Sequence, residues 1–220
     1  MNISIILSGG EGKRFASATP KQYQTLMGKE VISYSIRAMR GSELSDGILV
    51  VSDSKSVERL AAEYYVPCIV GGSTRNESLR NALEYVRLYI KECKKVFINE
   101  AARPFLTAQI IDSYFRYLNE YDAVITAQHI TDSLGREGEA VTDRDEYYLV
   151  QAPEAFRFDL LYRHFLADSP ITATVQQLPA DRKVYKCFDF KHNLKITYKE
   201  DLLHAEQIMR LLYGDVADER

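Results

Sequence analysis

The residues best suited to chemistry lie near the start of the chain. An apolar run over residues 3–7 indicates a buried strand, and it leads into the segment Ser-Gly-Gly-Glu-Gly-Lys-Arg-Phe at residues 8–15. Such a loop presents bare backbone N–H groups beside fixed positive charge, which is how proteins bind polyphosphates. Glycine lets the backbone approach phosphate closely and adopt positive φ angles. We therefore expect a polyphosphate site where the first strand ends.

The spacing of the glycines excludes two common phosphate-binding loops. The dinucleotide fingerprint Gly-x-Gly-x-x-Gly needs a third glycine where Phe15 stands. The kinase-type loop needs a magnesium-binding hydroxyl group where Arg14 stands. What remains is Gly-Gly-x-Gly-x-Arg followed by Pro20 and Lys21, and these cations suit a triphosphate with about four negative charges. For the glycines alone, an ordinary turn is the alternative.

Composition bounds the class of protein. The chain has 220 residues, 46% hydrophobic and 27% charged, which predicts one globular domain over residues 1–220. A net charge of −3 disfavours a general nucleic-acid binder. Cys68, Cys93 and Cys187 are few and scattered, which is typical of a reduced, cytoplasmic protein. No secretory signal precedes the first strand and no apolar run approaches membrane-spanning length, so we expect no membrane partner.

Strand-like and helix-like segments alternate along the chain. This alternation predicts an α/β fold with a mostly parallel sheet covered by helices on both sides. In such sheets ligands bind at the carboxyl ends of the strands, where the glycine loop and residues 99–104 would lie. The predicted strands are residues 3–7, 48–51, 68–70, 96–98 and 123–126. The predicted helices are residues 31–40, 56–65, 78–91 and 108–120.

The pattern changes at residues 131–147, which are polar and include two glycines. A disordered loop would explain this composition, and so would a hairpin that projects from the body with its turn at residues 135–138. Regular structure resumes at residues 148–151. The remaining predicted elements are a helix at 158–166, strand-like segments at 184–188 and 194–197, and a last helix at 200–212.

Six motifs occur in order along nearly the whole chain. They are Leu-Ser-Gly-Gly-x-Gly-x-Arg (7–14), Pro-Lys-Gln (20–22), Gly-Gly-x-x-Arg-x-x-Ser (71–78), Ala-Ala-Arg-Pro (101–104), Gln-x-Pro-x-x-Phe (151–156) and Asn-x-Lys-Ile-Thr (193–197). In these motifs the chain resembles the family of cytidylyltransferases that activate 2-C-methyl-D-erythritol 4-phosphate and ribitol 5-phosphate. The segment Arg-Pro-Phe-Leu-Thr (103–107) favours the ribitol-phosphate branch.

The resemblance implies a Rossmann-like nucleotidyltransferase fold with a projecting β-arm. It also implies a reaction: CTP and a polyol phosphate give a CDP-alcohol and pyrophosphate, with Mg²⁺ as cofactor, for isoprenoid or cell-wall precursor synthesis. The attacking phosphate is already an anion and needs no general base, so positioning and positive charge are the main catalytic tools. The arm, residues 131–147, would embrace the second subunit of a homodimer.

On the nucleotide side, the resemblance implies three catalytic cations. Arg14 and Lys21 would stabilise the transferred phosphoryl group and the departing pyrophosphate, and Lys195 would lie near the phosphates. The alternatives are a solvated surface lysine for Lys21, a strand-to-helix turn for Gly72 and an ordinary first-turn helix residue for Arg75. The expected CTP-binding residues are Ser8, Gly9, Gly10, Gly12, Gly72, Arg75, Ser78 and Ala101.

On the acceptor side, the resemblance implies roles for Glu100, Arg103, Asp132 and Arg144. Glu100, where the family usually has aspartate, would hydrogen-bond the hydroxyl groups of the acceptor. Arg144 would reach the site of the partner subunit and bind the acceptor phosphate, and solvation in a charged loop is its alternative. No residue is assigned to a metal, since the histidines show no ligand spacing.

Departures from the family pattern fall mainly in the acceptor half, at Glu100, Ala152, Glu154 and Ala173. They leave three hypotheses open. The protein is a polyol-phosphate cytidylyltransferase, a nucleotidyltransferase for another phosphorylated acceptor, or a degenerate homologue that binds CTP without turnover. The nearly intact nucleotide half predicts the use of CTP in each case.

Overall fold

The computed structural model describes residues 1–10, 12, 14–138 and 142–214, and strands and helices alternate through most of this part. No helix within it is both long and apolar enough to cross a membrane. The strands are β1 (Asn2–Leu7), β2 (Thr25–Leu26), β3 (Lys29–Glu30), β4 (Gly47–Ser52), β5 (Cys68–Val70), β6 (Lys95–Glu100), β7 (Ala123–His129), β8 (Tyr148–Arg157) and β9 (Val184–Cys187). The helices are α1 (Val31–Gly41), α2 (Val57–Tyr64), α3 (Arg75–Tyr89), α4 (Ala108–Tyr117), α5 (Phe158–His164) and α6 (Glu200–Tyr213).

One sheet forms the centre of the described part of the chain. Its seven strands follow the order β5-β4-β1-β6-β8-β7-β9. Parallel pairing joins β5 to β4, β4 to β1, β1 to β6 and β7 to β9. Strand β8 runs antiparallel between β6 and β7, and β2 and β3 form a separate small hairpin. The predicted α/β fold with a mostly parallel sheet is therefore confirmed.

Helices cover both faces of this sheet. Because successive residues of a strand point to opposite faces, β1 contributes to two separate cores. Ile3 and Ile5 are buried on the side of Leu79 in α3, whereas Ile6 is buried on the side of Ile36 in α1. Burying each such side chain stabilises the fold by about 1.5–3 kcal/mol. Burial on both faces explains why β1 is a continuous apolar run rather than an alternating one.

A third, smaller apolar cluster joins the glycine loop to the C-terminal helix. Phe15 is buried there with Leu26, Phe105, Ile196 and Met209 of α6. The aromatic ring of Phe15 therefore holds the chain just beyond the glycines against the body of the protein. This contact gives the residue a packing role that its place in the motif does not reveal.

Helix α3 begins at Arg75 rather than at the predicted Ser78. The hydroxyl group of Thr74 accepts a hydrogen bond from the Glu77 N–H at 3.0 Å, and the Glu77 carboxylate accepts one from the Ser73 N–H at 2.7 Å. These side chains satisfy backbone donors that have no partner within the helix. The apolar stripe of α3 begins only at the residue after Ser78. Hydrophobic periodicity therefore predicted the start of this helix too late in the sequence.

The prediction of a strand at residues 194–197 is wrong. The backbone there pairs with no strand. Instead the Ile196 N–H donates to the Ala102 carbonyl at 2.9 Å, and the Thr197 N–H donates to the Asp201 carboxylate at 2.7 Å. Ile196 is fully buried in the third apolar cluster. Its hydrophobicity therefore reflects side-chain packing and not membership of a sheet.

The expected projecting β-hairpin at residues 131–147 is absent from the described residues of that stretch, which contain a 3₁₀ turn at Arg144–Glu146 and no strand. Residues 139–141 lie outside the described residues. None of the described side chains in the stretch is buried, so no buried apolar side chain supports a ladder there. Antiparallel pairing is found at its base, where β7 and β8 pair with His129 opposite Tyr148.

Candidate active site

The carboxyl ends of β1, β4, β5 and β6 surround a cleft of about 720 Å³. This is the edge at which open parallel sheets bind ligands. The cleft brings together the glycine loop, the first turn of α3, the end of β6 and a residue of the 193–197 segment. The predicted site residues that line it are Ser8, Gly9, Gly10, Gly12, Lys21, Gly72, Arg75, Ser78, Glu100, Ala101 and Lys195.

The side chain of Gln22 holds the glycine loop. Its Nε2 donates to the carbonyl oxygens of Ser8 at 2.6 Å and Gly10 at 3.2 Å. Gln22 is buried, so these bonds satisfy an amide that has little access to water. The sequence contains Gln22 as the last residue of the Pro-Lys-Gln motif, but its role in positioning the loop is visible only in the structure.

The loop glycines meet different requirements. Gly12 has φ of +65°, a conformation that favours glycine. Gly9 and Gly10 do not have a positive φ angle, so among these three glycines the predicted positive φ is found only at Gly12. A Cβ atom on Gly10 would meet no protein atom within 4 Å. The fold itself therefore does not require glycine at position 10, and the space beside it is open.

A buried hydroxyl network joins the ends of β1 and β4 beneath the loop. The Tyr23 hydroxyl lies 2.6 Å from Ser52 Oγ and 3.2 Å from Ser8 Oγ. The guanidinium of Arg59 lies over the Tyr23 ring, 4.9 Å from its centroid. Sequence reasoning missed Tyr23 and Ser52, because single hydroxyl residues at strand ends carry no distinctive spacing.

Lys21 faces the cleft from a short 3₁₀ turn. Burial lowers the pKa of its ammonium group to about 8, and the charges of Lys195 and Arg14 act in the same direction, opposed by Glu100. Lys195 and Arg14 are therefore each close enough to Lys21 to repel its charge. Arg14 does not line the cleft itself but adds to its positive charge. An anion bound in the cleft would relieve this repulsion.

Glu100 ends β6 and lies among three cations. Its Oε2 is 2.7 Å from Lys195 Nζ and 3.3 Å from Arg103 Nε, and its Oε1 is 3.5 Å from Arg75 Nε. Burial alone would raise the pKa of this carboxyl group, but Lys195, Arg103 and Arg75 hold it at about 2. Glu100 is therefore ionised at neutral pH and orients the cations around it.

Arg103 lies behind Glu100, outside the cleft lining. It is buried, and its Nη1 donates to the Asn193 carbonyl at 2.8 Å. Asn193 in turn donates through Nδ2 to the Ala152 carbonyl at 2.7 Å. Three of the sequence motifs, those containing Arg103, Ala152 and Asn193, therefore meet at one place. These contacts set the position of Lys195, two residues further along the chain.

Gly71 and Gly72 pack tightly against the start of α3. A Cβ atom on Gly72 would lie 2.2 Å from Glu77 Cβ, and one on Gly71 would lie 2.7 Å from Ser78 Oγ. Ser78 Oγ also accepts a hydrogen bond from the Gly72 N–H at 3.1 Å. The strand-to-helix turn alone accounts for both glycines. Gly72 and Ser78 nevertheless line the cleft, and their binding to CTP stays a prediction.

Arg75 lines the cleft, but its nitrogen atoms face protein acceptors. These are the carboxylates of Glu100 and Glu154, the carbonyl of Thr172 and the hydroxyl of Thr174. Sequence reasoning noted Glu154 only as a departure from the family pattern. The available signal was a charged residue within an apolar strand, which requires a buried partner.

A comparison with known families decides the identity of this site. The family model of IspD, described as 2-C-methyl-D-erythritol 4-phosphate cytidylyltransferase, matches residues 2–211. The match spans every segment that meets at the cleft. The chain belongs to the IspD family. The cytidylyltransferase resemblance is thereby confirmed, and with it the nucleotidyltransferase class of enzyme.

Curated relatives resemble this IspD-family chain over most of its length. A protein of Clostridium kluyveri is 30% identical over 227 residues, which cover 95% of this chain and 96% of the relative. A protein of Thermosipho melanesiensis is 29% identical over 215 residues, covering 92% and 95%. Both relatives are named 2-C-methyl-D-erythritol 4-phosphate cytidylyltransferase.

Solved structures share the fold of the IspD-family chain. The 4-diphosphocytidyl-2C-methyl-D-erythritol synthase of Anaerococcus prevotii superposes with a TM-score of 0.82 at 21% identity, covering 95% of this chain and 98% of that one. The cytidylyltransferase of Thermus thermophilus gives a TM-score of 0.76 at 22% identity, covering 96% and 100%. The predicted nucleotidyltransferase fold is therefore confirmed.

Besides Arg14 and Arg103, two further predicted site residues of this IspD-family chain, Asp132 and Arg144, do not line the cleft. Both are exposed in the stretch after β7. Arg144 Nη1 donates to the Thr131 carbonyl at 2.6 Å, and its Nε lies 3.8 Å from Asp145 Oδ1. Their action in the site of a partner subunit stays a prediction.

Among the described residues of this IspD-family chain, the carboxylates that line the cleft are already engaged. Glu100 contacts three cations, and Asp53 Oδ1 accepts from the N–H groups of Lys55 and Ser56 at 3.0 and 3.1 Å. Across the described residues, no three His, Cys, Asp or Glu side chains form a group that could hold a metal ion. The described part of the chain therefore does not form a complete metal site of its own.

Proposed function

We propose that this chain transfers CMP from CTP to 2-C-methyl-D-erythritol 4-phosphate and releases pyrophosphate. The observation that carries the proposal is the cluster of Lys195, Arg103 and Arg75 around the ionised Glu100, in a cleft that Lys21 and the glycine loop also line. Such a cleft suits a reaction between two anions, whose repulsion is the main obstacle. The acceptor follows from the family and from the names of the curated relatives.

The glycine loop would bind the triphosphate of CTP. The open space beside Gly10 lets a phosphate approach the backbone more closely than a side chain would allow. Arg75 lies beside the nucleotide-binding residues with its nitrogen atoms directed at protein acceptors. The residues that would contact CTP are Ser8, Gly9, Gly10, Gly12, Gly72, Ser78 and Ala101.

Lys21, Arg14 and Lys195 would supply positive charge to the reacting phosphates. The acceptor phosphate attacks the α-phosphorus of CTP in line, and the bond to the β-phosphate oxygen breaks to release pyrophosphate. Negative charge builds on the α-phosphoryl oxygens, and cations positioned before the reaction stabilise it. Binding of the anionic nucleotide raises the pKa of Lys21, so that its amine is charged when the reaction occurs.

Glu100 would form the acceptor side of the cleft, with Arg103 directly behind it. An ionised carboxylate only accepts hydrogen bonds, so Glu100 suits the hydroxyl groups of a polyol. The proposal also includes a homodimer in which the 131–147 arm brings Asp132 and Arg144 to the cleft of the partner. Arg144 would then bind the acceptor phosphate, since guanidinium and phosphate match in geometry and charge.

Mg²⁺ would enter the cleft with CTP. Magnesium prefers oxygen ligands and is commonly bound through substrate phosphates, which fits a cleft whose carboxylates are already engaged. When bound, the ion would neutralise phosphate charge during the transfer. The proposal places the enzyme in the cytoplasm, because Cys68, Cys93 and Cys187 are free thiols, as a reducing compartment would keep them.

The test is pyrophosphate release from CTP across a panel of acceptors. We expect turnover with 2-C-methyl-D-erythritol 4-phosphate and a kcat/KM for it at least about a hundredfold above that for ribitol 5-phosphate, because buried polar groups reject a poorly matched polyol. A sugar phosphate and phosphocholine complete the acceptor panel. ATP in place of CTP controls for the nucleotide.

Each other outcome identifies a different function. A preference for ribitol 5-phosphate, which residues 103–107 favour, would assign the chain to that branch. Turnover with the sugar phosphate or with phosphocholine would show another acceptor class. If no acceptor gives pyrophosphate release but calorimetry detects binding of magnesium and CTP, the protein is a homologue without turnover.

A further inference from the structure

The guanidinium of Arg75 spans two carboxylates. Its Nε is 3.5 Å from Glu100 Oε1, and its Nη2 is 3.3 Å from Glu154 Oε2. Its Nη1 donates to the Thr172 carbonyl at 3.0 Å and to Thr174 Oγ1 at 3.1 Å. Each nitrogen therefore has a protein acceptor, and the planar group is held from three sides.

Glu154 anchors this arrangement in the sheet. It lies in β8 opposite Ile98 of β6, and only 2% of it is exposed. Its Oε1 accepts a hydrogen bond from the Val175 N–H at 3.1 Å, and its Oε2 faces Arg75. A carboxylate so deeply buried is costly unless a cation and hydrogen bonds compensate it. Arg75 is therefore bound to a rigid part of the fold.

We propose that Arg75 and Glu154 are a positioning pair for the acceptor side of the cleft. Held by Glu154, Arg75 fixes Glu100 in the orientation that places Lys195 and Arg103, and it does not contact the nucleotide. The inference rests on the proposed function for the identity of the acceptor, but not for the geometry of the pair.

The sequence motif predicts that Arg75 is one of the CTP-binding residues. A guanidinium that turned to a nucleotide would leave the buried Glu154 carboxyl group without its cation. Breaking a buried ion pair from one side is strongly destabilising, because the remaining charge is uncompensated. The same turn would release Glu100 from one of its three cations. The contacts therefore favour positioning over nucleotide binding.

The variants Arg75→Lys and Glu154→Gln test the pair. A lysine ammonium cannot span both carboxylates, so we expect Arg75→Lys to raise the acceptor KM about tenfold and the CTP KM by less than about twofold. Glu154→Gln keeps the shape and removes the charge, so it should raise the acceptor KM about threefold in the same pattern. Steady-state kinetics with each substrate varied separately gives both constants.

Two matched controls separate positioning from general destabilisation. Arg80→Lys changes another α3 arginine, which donates to the backbone carbonyls of Tyr162 and Phe165 outside the cleft. Asp112→Asn removes a buried carboxylate that accepts from Ser42 Oγ at 2.5 Å, also outside the cleft. Both controls should lower the melting temperature without changing either KM. A CTP KM that rises as much as the acceptor KM in Arg75→Lys, or two unchanged KM values, overturns the proposal.

A second measurement does not depend on the acceptor. The free energies of unfolding of Glu100→Gln, Glu154→Gln and the double variant form a cycle in the free enzyme. If Arg75 links the two carboxylates, the effects of the single substitutions are non-additive. Additive effects overturn the pair even if the enzyme is active. If the effects are non-additive but the enzyme turns over no acceptor, the Arg75–Glu154 pair is supported and the proposed function is rejected.

Discussion

The cleft and the 131–147 stretch both contain many charged residues. The two regions differ in how firmly the fold holds those residues in place. In the cleft, Leu7 of β1 is paired with Glu100 of β6. The glycine loop, which follows Leu7, and Glu100 therefore lie side by side at the same edge of the sheet. In the stretch, Arg144 is exposed and donates to the nearby Thr131 carbonyl. The cleft residues are anchored by strands, whereas the described residues of the stretch have no buried side chain.

This difference shows how position in the fold governs a functional residue. The end of a strand is placed by the hydrogen bonds of its neighbours and by core packing below it, so side chains there converge without a ligand. A polar segment without apolar contacts needs a partner to define its place. We therefore expect cleft variants to act on chemistry and, if the proposed homodimer forms, arm variants to act through the partner subunit.

The largest effect should come from Lys21→Ala. Loss of one cation at the reacting phosphates is expected to lower kcat by about a thousandfold, as for removal of one preorganised donor to a transition state. The melting temperature should remain near that of the wild type, because Lys21 contributes charge rather than core packing. Lys29→Ala, an exposed lysine outside the cleft, is the matched control. Full activity of Lys21→Ala would place the reaction elsewhere.

A smaller effect is expected from Arg144→Ala, in the arm. The acceptor KM should rise about tenfold while the CTP KM changes little, since loss of one charge-assisted contact to phosphate costs about 1.4 kcal/mol. Arg136→Ala in the same stretch is the control. Mixing inactive Lys21→Ala with Arg144→Ala subunits should restore part of the activity if the arm crosses between subunits. Equal changes in both KM values would argue against contact with the acceptor phosphate.

The smallest predicted effect at neutral pH is the change in kcat/KM that results from loss of the charge on Lys21. Its pKa in the free enzyme lies near 8, below its ordinary value of 10.5, so the folded protein loses this charge as the pH rises through about 8. The kcat/KM for CTP, which reports the free enzyme, should fall over that range. Lys195→Met removes a neighbouring cation and should move the midpoint upwards. A profile that is flat to pH 10 would exclude an essential charged Lys21.

Most elements of the fold could be predicted because their signals are local. The apolar run of β1 and the stripe of α3 reflect burial that the sequence shows directly, and only the ends of these two elements differ from the prediction. The prediction of a strand at residues 194–197 was wrong because Ile196 packs in a cluster of loops and helices. In such a cluster, buried apolar residues do not indicate a strand. The same limit applied to Glu154, whose partner lies 79 positions away in the chain.

By itself, the sequence determined the family, the α/β class and the segments that line the cleft, because motif identity and hydrophobic periodicity are properties of neighbouring residues. Only the tertiary structure decided that Gln22 holds the glycine loop, that Glu100 is surrounded by three cations and that Arg75 is bound to Glu154. The physical reason is that these contacts join residues from separate strands and loops. Their charges and hydrogen bonds acquire partners only when the sheet brings the strand ends together.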